Sequence, residues 1–222
     1  MPVEIDQIIR SKRKTLAIIV KRDGSVTVRA PMRATNKSIR EFIAQHTAWI
    51  EQKKAELQTL VVPQTRQYLA GESILFLGEE YPLEVVKHQK QPLVLNGGFK
   101  LSEAASHRAK MVFERWYRQQ AKKIIQDRVD FFVQQYGFQY QGLKITSART
   151  RWGSCSARGA LNFSWRLILA PLEQVDYVVV HELVHTIHHN HSQKFWKALE
   201  KVMPDFKTRK KWLKQHGQQL MV

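Results

Sequence analysis

The chain has 222 residues, and its 36 Lys and Arg against 19 Asp and Glu give a formal charge of +17. Hydrophobic residues at 43% and charged residues at 25% are ordinary globular proportions, which excludes wholesale disorder and leaves apolar side chains enough for a sizeable core. One cysteine, Cys155, excludes an intrachain disulfide and a four-cysteine zinc site, and MPVEIDQIIRSKRK holds no apolar signal core, so a soluble, cytoplasmic protein without membrane spans is expected.

The first hundred residues read as strands around one helix. Alternating Leu16, Ile18 and Val20, then Val26 and Val28, flank Lys21-Arg22-Asp23-Gly24-Ser25, whose Asp-Gly marks a hairpin turn. Pro31 ends the second strand. A helix follows, capped by Thr35 or Asn36, with Ile39, Phe42, Ile43, Trp49, Ile50 and Leu57 at helical spacing. Short apolar runs at Ser73–Leu77 and Tyr81–Val86, separated by Gly78-Glu79-Glu80, and then Leu93–Leu95 before Asn96-Gly97-Gly98, read as further hairpins.

Composition changes near Ser102. Ser106 to Tyr136 contains no Gly or Pro, and Val112, Trp116, Ile124, Ile125, Val129, Phe132 and Val133 suit a long amphipathic helix closed by Gly137. The expected division is therefore a β-rich region over 1–104 and a catalytic region over 105–222. Lys144–Arg149 and Leu161–Leu169 read as strands around the turn-rich segment Gly153 to Gly159. Helices are expected over 172–188, 192–202 and 205–220, with Pro204 dividing the last two. This is an α+β chain, with one N-terminal helix and a helical catalytic part that carries a β-hairpin or small sheet.

One stretch carries chemistry: His181-Glu182-Leu183-Val184-His185-Thr186-Ile187-His188-His189-Asn190-His191. Histidines four apart lie about 40° apart around a helix, so both imidazoles can meet one ion. Glu182 is turned about 100° away, where a general base beside the attacking water belongs. Asn190 tolerates the left-handed conformation, so the chain can turn there and return His191 as a third ligand. Three imidazoles leave a fourth position open, as in catalytic and not structural zinc sites. Leu172, Val179, Leu183 and Ile187 fall on the opposite side and form an apolar back. His188 and His189 are read as polar bystanders or as substrate contacts.

HELVHTIHHNHSQKFW, preceded by TRWGSC and LNFSWRLILAPLEQVDYVVV, resembles YgjP-like metal-dependent hydrolases, which are related to SprT-type and WLM zinc peptidases. The likeness covers the chain in layout and residues 149–213 in detail. It implies a small β-rich part beside a zincin-like catalytic part, zinc at His181, His185 and His191, and Glu182 as base. It also implies a metallopeptidase-type HExxH site, to which an NTP pyrophosphatase activity on UTP is attributed as well. The spacing equals that of metzincins, but His188 stands where their glycine would be, and no Met-turn is recognisable.

Arg149-Thr150-Arg151-Trp152 offers two arginines that share a face if the segment is a strand, fit to fork onto carboxylate or phosphate beside a stacking tryptophan. The alternative is a hairpin with its tryptophan anchored in the core. Cys155 is expected to be a small buried residue, since nothing near it supports a Cys–His dyad. Phe195, Trp196 and Leu199 are expected to pack behind the site. Lys207 to Lys214 form either an anion-facing helix or a solvated one docked through Trp212 and Leu213.

Residues 1–104 carry 16 basic and 11 acidic side chains and residues 105–222 carry 20 and 8, net charges of +5 and +12. Such an excess attracts anions, nucleotides or protein near nucleic acid among them. The leading expectation is a zinc-dependent hydrolase acting on a peptide bond or a nucleotide phosphoanhydride. Mn²⁺, Co²⁺ or Ni²⁺ also suit imidazole ligands, and Mg²⁺ would accompany a nucleotide substrate. The alternatives are a basic nucleic-acid-binding protein with a structural metal and a peptidase acting on DNA-bound proteins.

Overall fold

The computed structural model describes residues 4–21, 23–58 and 66–220, and it is an α+β molecule that divides into two compact units, Met1–Val62 and Pro63–Val222. The composition change near 104 therefore falls inside the second unit.

In the first unit, strands β1 (Gln7–Ser11), β2 (Ala17–Val20) and β3 (Val26–Pro31) lie in the order β1-β3-β2, with β1 parallel and β2 antiparallel to β3. The Asp-Gly hairpin forms as expected: Gly24 has φ +82°, and Asp23 Oδ1 accepts from the Ser25 amide at 2.9 Å. Strand β1 carries no legible pattern, because all five of its residues are exposed. Thr35 caps helix α1 (Asn36–Gln45) by accepting from the Ser38 amide at 3.1 Å, and Ile39 and Ile43 join Val26, Val28 and Ala30 in a small core.

The single expected helix is two. At His46 the chain leaves helical geometry (φ −111°, ψ 12°) before α2 (Thr47–Gln58) begins. Local side chains take over the carbonyls there: His46 Nδ1 lies 2.8 Å from Phe42 O, and Thr47 Oγ1 donates to Ile43 O at 3.2 Å.

The second unit opens with β4 (Ser73–Phe76), β5 (Glu79–Val86), β6 (Leu93–Leu95) and β7 (Phe99–Ser102), ordered β4-β5-β7-β6. Leu77 and Gly78, with φ +51° and +82°, make the two-residue turn whose twist matches flanking strands. A 3-10 turn at Glu103–Arg108 leads into α3 (Ala109–Tyr136), closed by left-handed Gly137 as expected. Ala109, Phe113, Tyr117, Ala121, Ile125 and Val129 repeat every four residues and bury one face of α3 in the core that also holds Ile74, Leu83, Phe99 and Leu101, with Phe113 and Tyr117 against the Phe99 ring. Tyr117 Oη also donates to Leu75 O at 2.7 Å. That shared core is why no structural boundary falls near 104.

Strands β8 (Gly142–Thr146), β9 (Gly153–Cys155) and β10 (Ala160–Ser164) form a sheet ordered β8-β10-β9, which leaves β9 at an edge. Both expected strands here are shorter than read. The first stops at Thr146, and the second gives way at Trp165 to a 3-10 turn over Trp165–Leu169. Helices α4 (Leu172–His185), α5 (Gln193–Val202) and α6 (Phe206–Leu220) complete the unit. Arg128 of α3 forks onto Asp176 of α4, with Nη2 2.9 Å from Oδ2. Among the described residues no helix is long and apolar enough to cross a membrane.

Candidate metal centre

Helix α4 sets the centre. Its middle, Val178, Val179, Val180, Leu183 and Val184, is buried on several sides, so the helix is locked in rotation and depth. Its last turn then carries His181 and His185 on one face. The helix ends at His185, three residues earlier than expected, because Thr186 turns back: its amide and its Oγ1 both donate to Leu183 O, at 3.0 and 2.7 Å. Ile187 consequently lies outside the apolar back and is 59% exposed, and Leu172 is exposed as well. Asn190 is not left-handed; the return to His191 needs no positive φ.

The return brings three imidazoles together. His191 Nε2 lies 3.0 Å from His181 Nε2 and 3.2 Å from His185 Nε2, and one nitrogen of each ring falls within 4.8 Å of the others. Nitrogens held about 2.0–2.1 Å from a tetrahedral zinc stand about 3.3 Å apart, so the donor set fits such an ion. His185 Nδ1 lies 3.0 Å from His188 O, which fixes its proton on Nδ1 and leaves the Nε2 lone pair for the centre. Here His188 acts through its carbonyl. His189 is exposed and stands outside the converging set.

Two of the rings are also held against protonation. Burial, then His185, His191 and Lys210, depress His181 to about 3, and burial, His185 and Lys210 lower His191. Buried Phe195 lies under all three rings, with centroids 5.0, 4.5 and 4.8 Å from His181, His185 and His191. Trp196 is half-buried and stacks on His191 at 5.4 Å, while Lys210 Nζ sits 4.3 Å over the Trp196 ring. Leu199 is buried behind them, as expected. On α6, Leu213 is buried and Trp212 half-buried, so that helix docks through both.

Glu182 is 5% exposed, and its carboxylate makes no hydrogen bond among the described residues. Burial raises its pKa to about 7, against the pull of nearby Arg151. It presses on β9: a Cβ added to Gly153 would lie 2.7 Å from both Glu182 Cγ and Oε1. Gly153 is thus required by the carboxylate, a role that sequence reasoning missed. Cys155 shares that face of β9 and is half-buried, not buried; its thiol pKa is raised by burial and by Glu182. Tyr177, one turn before His181, was also missed. Its ring centroid lies 5.9 Å from that of His181, and burial, with Glu182, raises it to about 12. Its place four residues before a ligand-type histidine was the available signal.

Arg149 and Arg151 are not on a strand, so the alternation that would align them does not apply. After Thr146 the chain arches away; Ser164 holds both ends of the arch, its Oγ donating to Ala148 O at 2.7 Å and its amide to Trp152 O at 2.8 Å. The two arginines therefore have different neighbours. Arg151 faces Glu182, whereas Arg149 lies by buried Arg166 and lowers its pKa after desolvation. Trp152 packs against α6, 3.0 Å from the Cβ position of Gly217, as the anchored-tryptophan reading expects.

No curated protein and no solved structure matches the chain significantly. The family of metal-dependent hydrolases described as YgjP-like, metallopeptidase domain, matches residues 14–216, a span that holds the three histidines, Glu182 and Gly153. The chain belongs to the YgjP-like metallopeptidase family.

Proposed function

We propose that this is a zinc-dependent hydrolase of peptide bonds in which His181, His185 and His191 hold the metal and Glu182 is the general base. The observation that carries the proposal is a buried, unbonded carboxylate next to three imidazoles whose nitrogens converge. Zinc bound there would supply Lewis acidity and bring a bound water to a pKa of around 7. Glu182, pushed up to about 7, is matched to take the proton of the attacking water and return it to the leaving nitrogen. A purely structural metal gives Glu182 no task and leaves its buried charge unexplained.

Strand β9 supports a peptide substrate. Ser164 N bonds to Trp152 O and Ser156 N to Ala160 O, so the ladder alternation turns the amides and carbonyls of Gly153 and Cys155 away from β10. An extended chain can add to that open edge alongside Glu182. A second reading, nucleoside triphosphate pyrophosphatase with UTP among its substrates, is favoured by a cleft of about 840 Å³ lined by Trp196, Lys197, Lys207, Lys210, Lys211 and Lys214. Lys210 and Trp196 join that cleft to His191.

The test is an activity panel on metal-loaded and chelated protein with unfolded protein, short peptides and nucleoside triphosphates. His181→Ala or His185→Ala should lose both metal and turnover. Glu182→Gln should keep the metal while the rate falls about 10²–10⁴-fold. Turnover near wild type by Glu182→Gln on every substrate would leave a structural metal as the better account.

A further inference from the structure

We propose that a groove beside α3, remote in its lining from the histidine centre, binds single-stranded nucleic acid. It encloses about 1110 Å³ between the first half of α3, the segment around Tyr68 and strand β8, and neither Glu182 nor any of the three histidines lines it. Its charge is one-sided. Arg66, Arg108, Lys110, Arg115, Lys122 and Lys144 line it and are exposed. Glu114 is the lone carboxylate among the lining residues, and it is engaged: it accepts from Ser147 Oγ at 3.2 Å, which in turn accepts from Arg118 Nη1 at 2.7 Å. That bonded trio leaves the rim cationic.

Length and floor decide which anion fits. From Arg108 to Lys122 the cations run along about 20 Å of helix, at 1.5 Å per residue. Such a row outreaches the phosphates of a single nucleotide and meets several successive phosphates of a polymer. The floor is apolar: Met111, 62% exposed, lines the groove with Tyr68, Leu143 and Ile145. An unpaired strand offers flat bases to such a floor and phosphates to such a rim, whereas a duplex hides its bases. Arginine guanidinium groups fork onto phosphate and stack on bases, which favours a nucleic acid over an acidic polypeptide.

The test is fluorescence anisotropy of the full chain with a labelled oligothymidylate over a series of salt concentrations. Arg115→Glu with Lys122→Glu, and separately Lys144→Glu, should each weaken binding about tenfold or more. The slope of log affinity against log salt should drop by about 0.7 for each phosphate that the variant no longer neutralises. Lys87→Glu with Lys90→Glu makes the same charge change as the double variant on residues that line neither groove, and it should alter affinity less than about twofold. Equal losses in groove and control variants would overturn the proposal in favour of diffuse charge. Displacement of the probe by polyglutamate or by duplex DNA as readily as by unlabelled oligothymidylate would overturn it in favour of those partners.

Discussion

Glu182 and Gly153 form a matched pair, and each can be tested through the other. The space that would hold a Cβ at Gly153 is filled by the Glu182 side chain, with Cγ and Oε1 at 2.7 Å. Gly153→Ala should therefore keep zinc stoichiometry at the histidines and lower turnover by at least about tenfold, because the carboxylate must swing out of place. Unchanged turnover in that variant would mean that Glu182 has another position in which it works. The carboxylate also has a pH signature in the chelated protein. Its folded pKa is about 7 against an ordinary 4.5, so the folded state holds the proton more tightly and stability falls as pH rises between those values. Glu182→Gln removes that penalty. In chelator, we expect the variant to be more stable than the wild type by roughly 3 kcal/mol above pH 7, with the gap closing towards pH 4.5. Denaturant unfolding at pH 8 and pH 4.5 measures it, and a gap independent of pH would refute the assignment.

At the scale of elements, the site depends on where α4 starts as well as where it stops. The β4–β5 turn docks on its N-terminal end: Leu77 N donates to Ile168 O at 2.8 Å, Gly78 N to Leu169 O at 3.1 Å, and a Cβ on Gly78 would come 2.6 Å from Pro171 Cγ. Gly71 has a similar φ, +88° against +82°, but its Cβ position is empty to 4 Å. Gly78→Ala and Gly71→Ala thus share the backbone cost of a positive φ, and only the first collides with the start of α4. Both should destabilise, by upwards of about 1 kcal/mol for Gly71→Ala and more for Gly78→Ala. Thermal unfolding of the two variants reads the difference as the docking contribution, which equal shifts would eliminate. The expected helix through 57 and the expected α4 through 188 fail for one reason. Side-chain hydroxyls or a ring nitrogen at His46, Thr47 and Thr186 bond to carbonyls that a longer helix would have used.

For the whole molecule, charge bears on which substrate reaches Glu182. Of the 20 Lys and Arg in residues 105–222, 11 line two places, the α3 groove and the lysine-lined cleft beside His191. Arg149 and Arg151 separate general attraction from direct contact. Arg151 faces Glu182, so Arg151→Ala should raise KM for a triphosphate at both low and high salt, whereas on an uncharged peptide KM should hold and only the pH profile should move upward with Glu182. Arg149 repels buried Arg166, so Arg149→Ala should lose at most the salt-screened part of the effect. Comparison of kcat/KM for both variants on both substrates decides it. Equal losses on triphosphate and peptide would reduce the arch to a folding element.

The sequence alone determined what rests on local rules. The 181–191 spacing put two imidazoles on one helical face and a carboxylate beside them; Asp23-Gly24 and Gly137 marked their turn and helix end, and the cap was narrowed to Thr35 or Asn36, because each acts through its own backbone neighbours. Tertiary structure decided what depends on distant partners. Exposed β1 is a strand because β3 offers it a parallel edge. The unit boundary lies at 62 and not near 104 because the face of α3 buries against strands that precede it. Gly153 is glycine because Glu182, far along the chain, fills its side-chain space, and Arg149 and Arg151 part company because Ser164 pins the arch that carries them. Periodicity records which face a residue takes, but contact across the fold sets what that face meets.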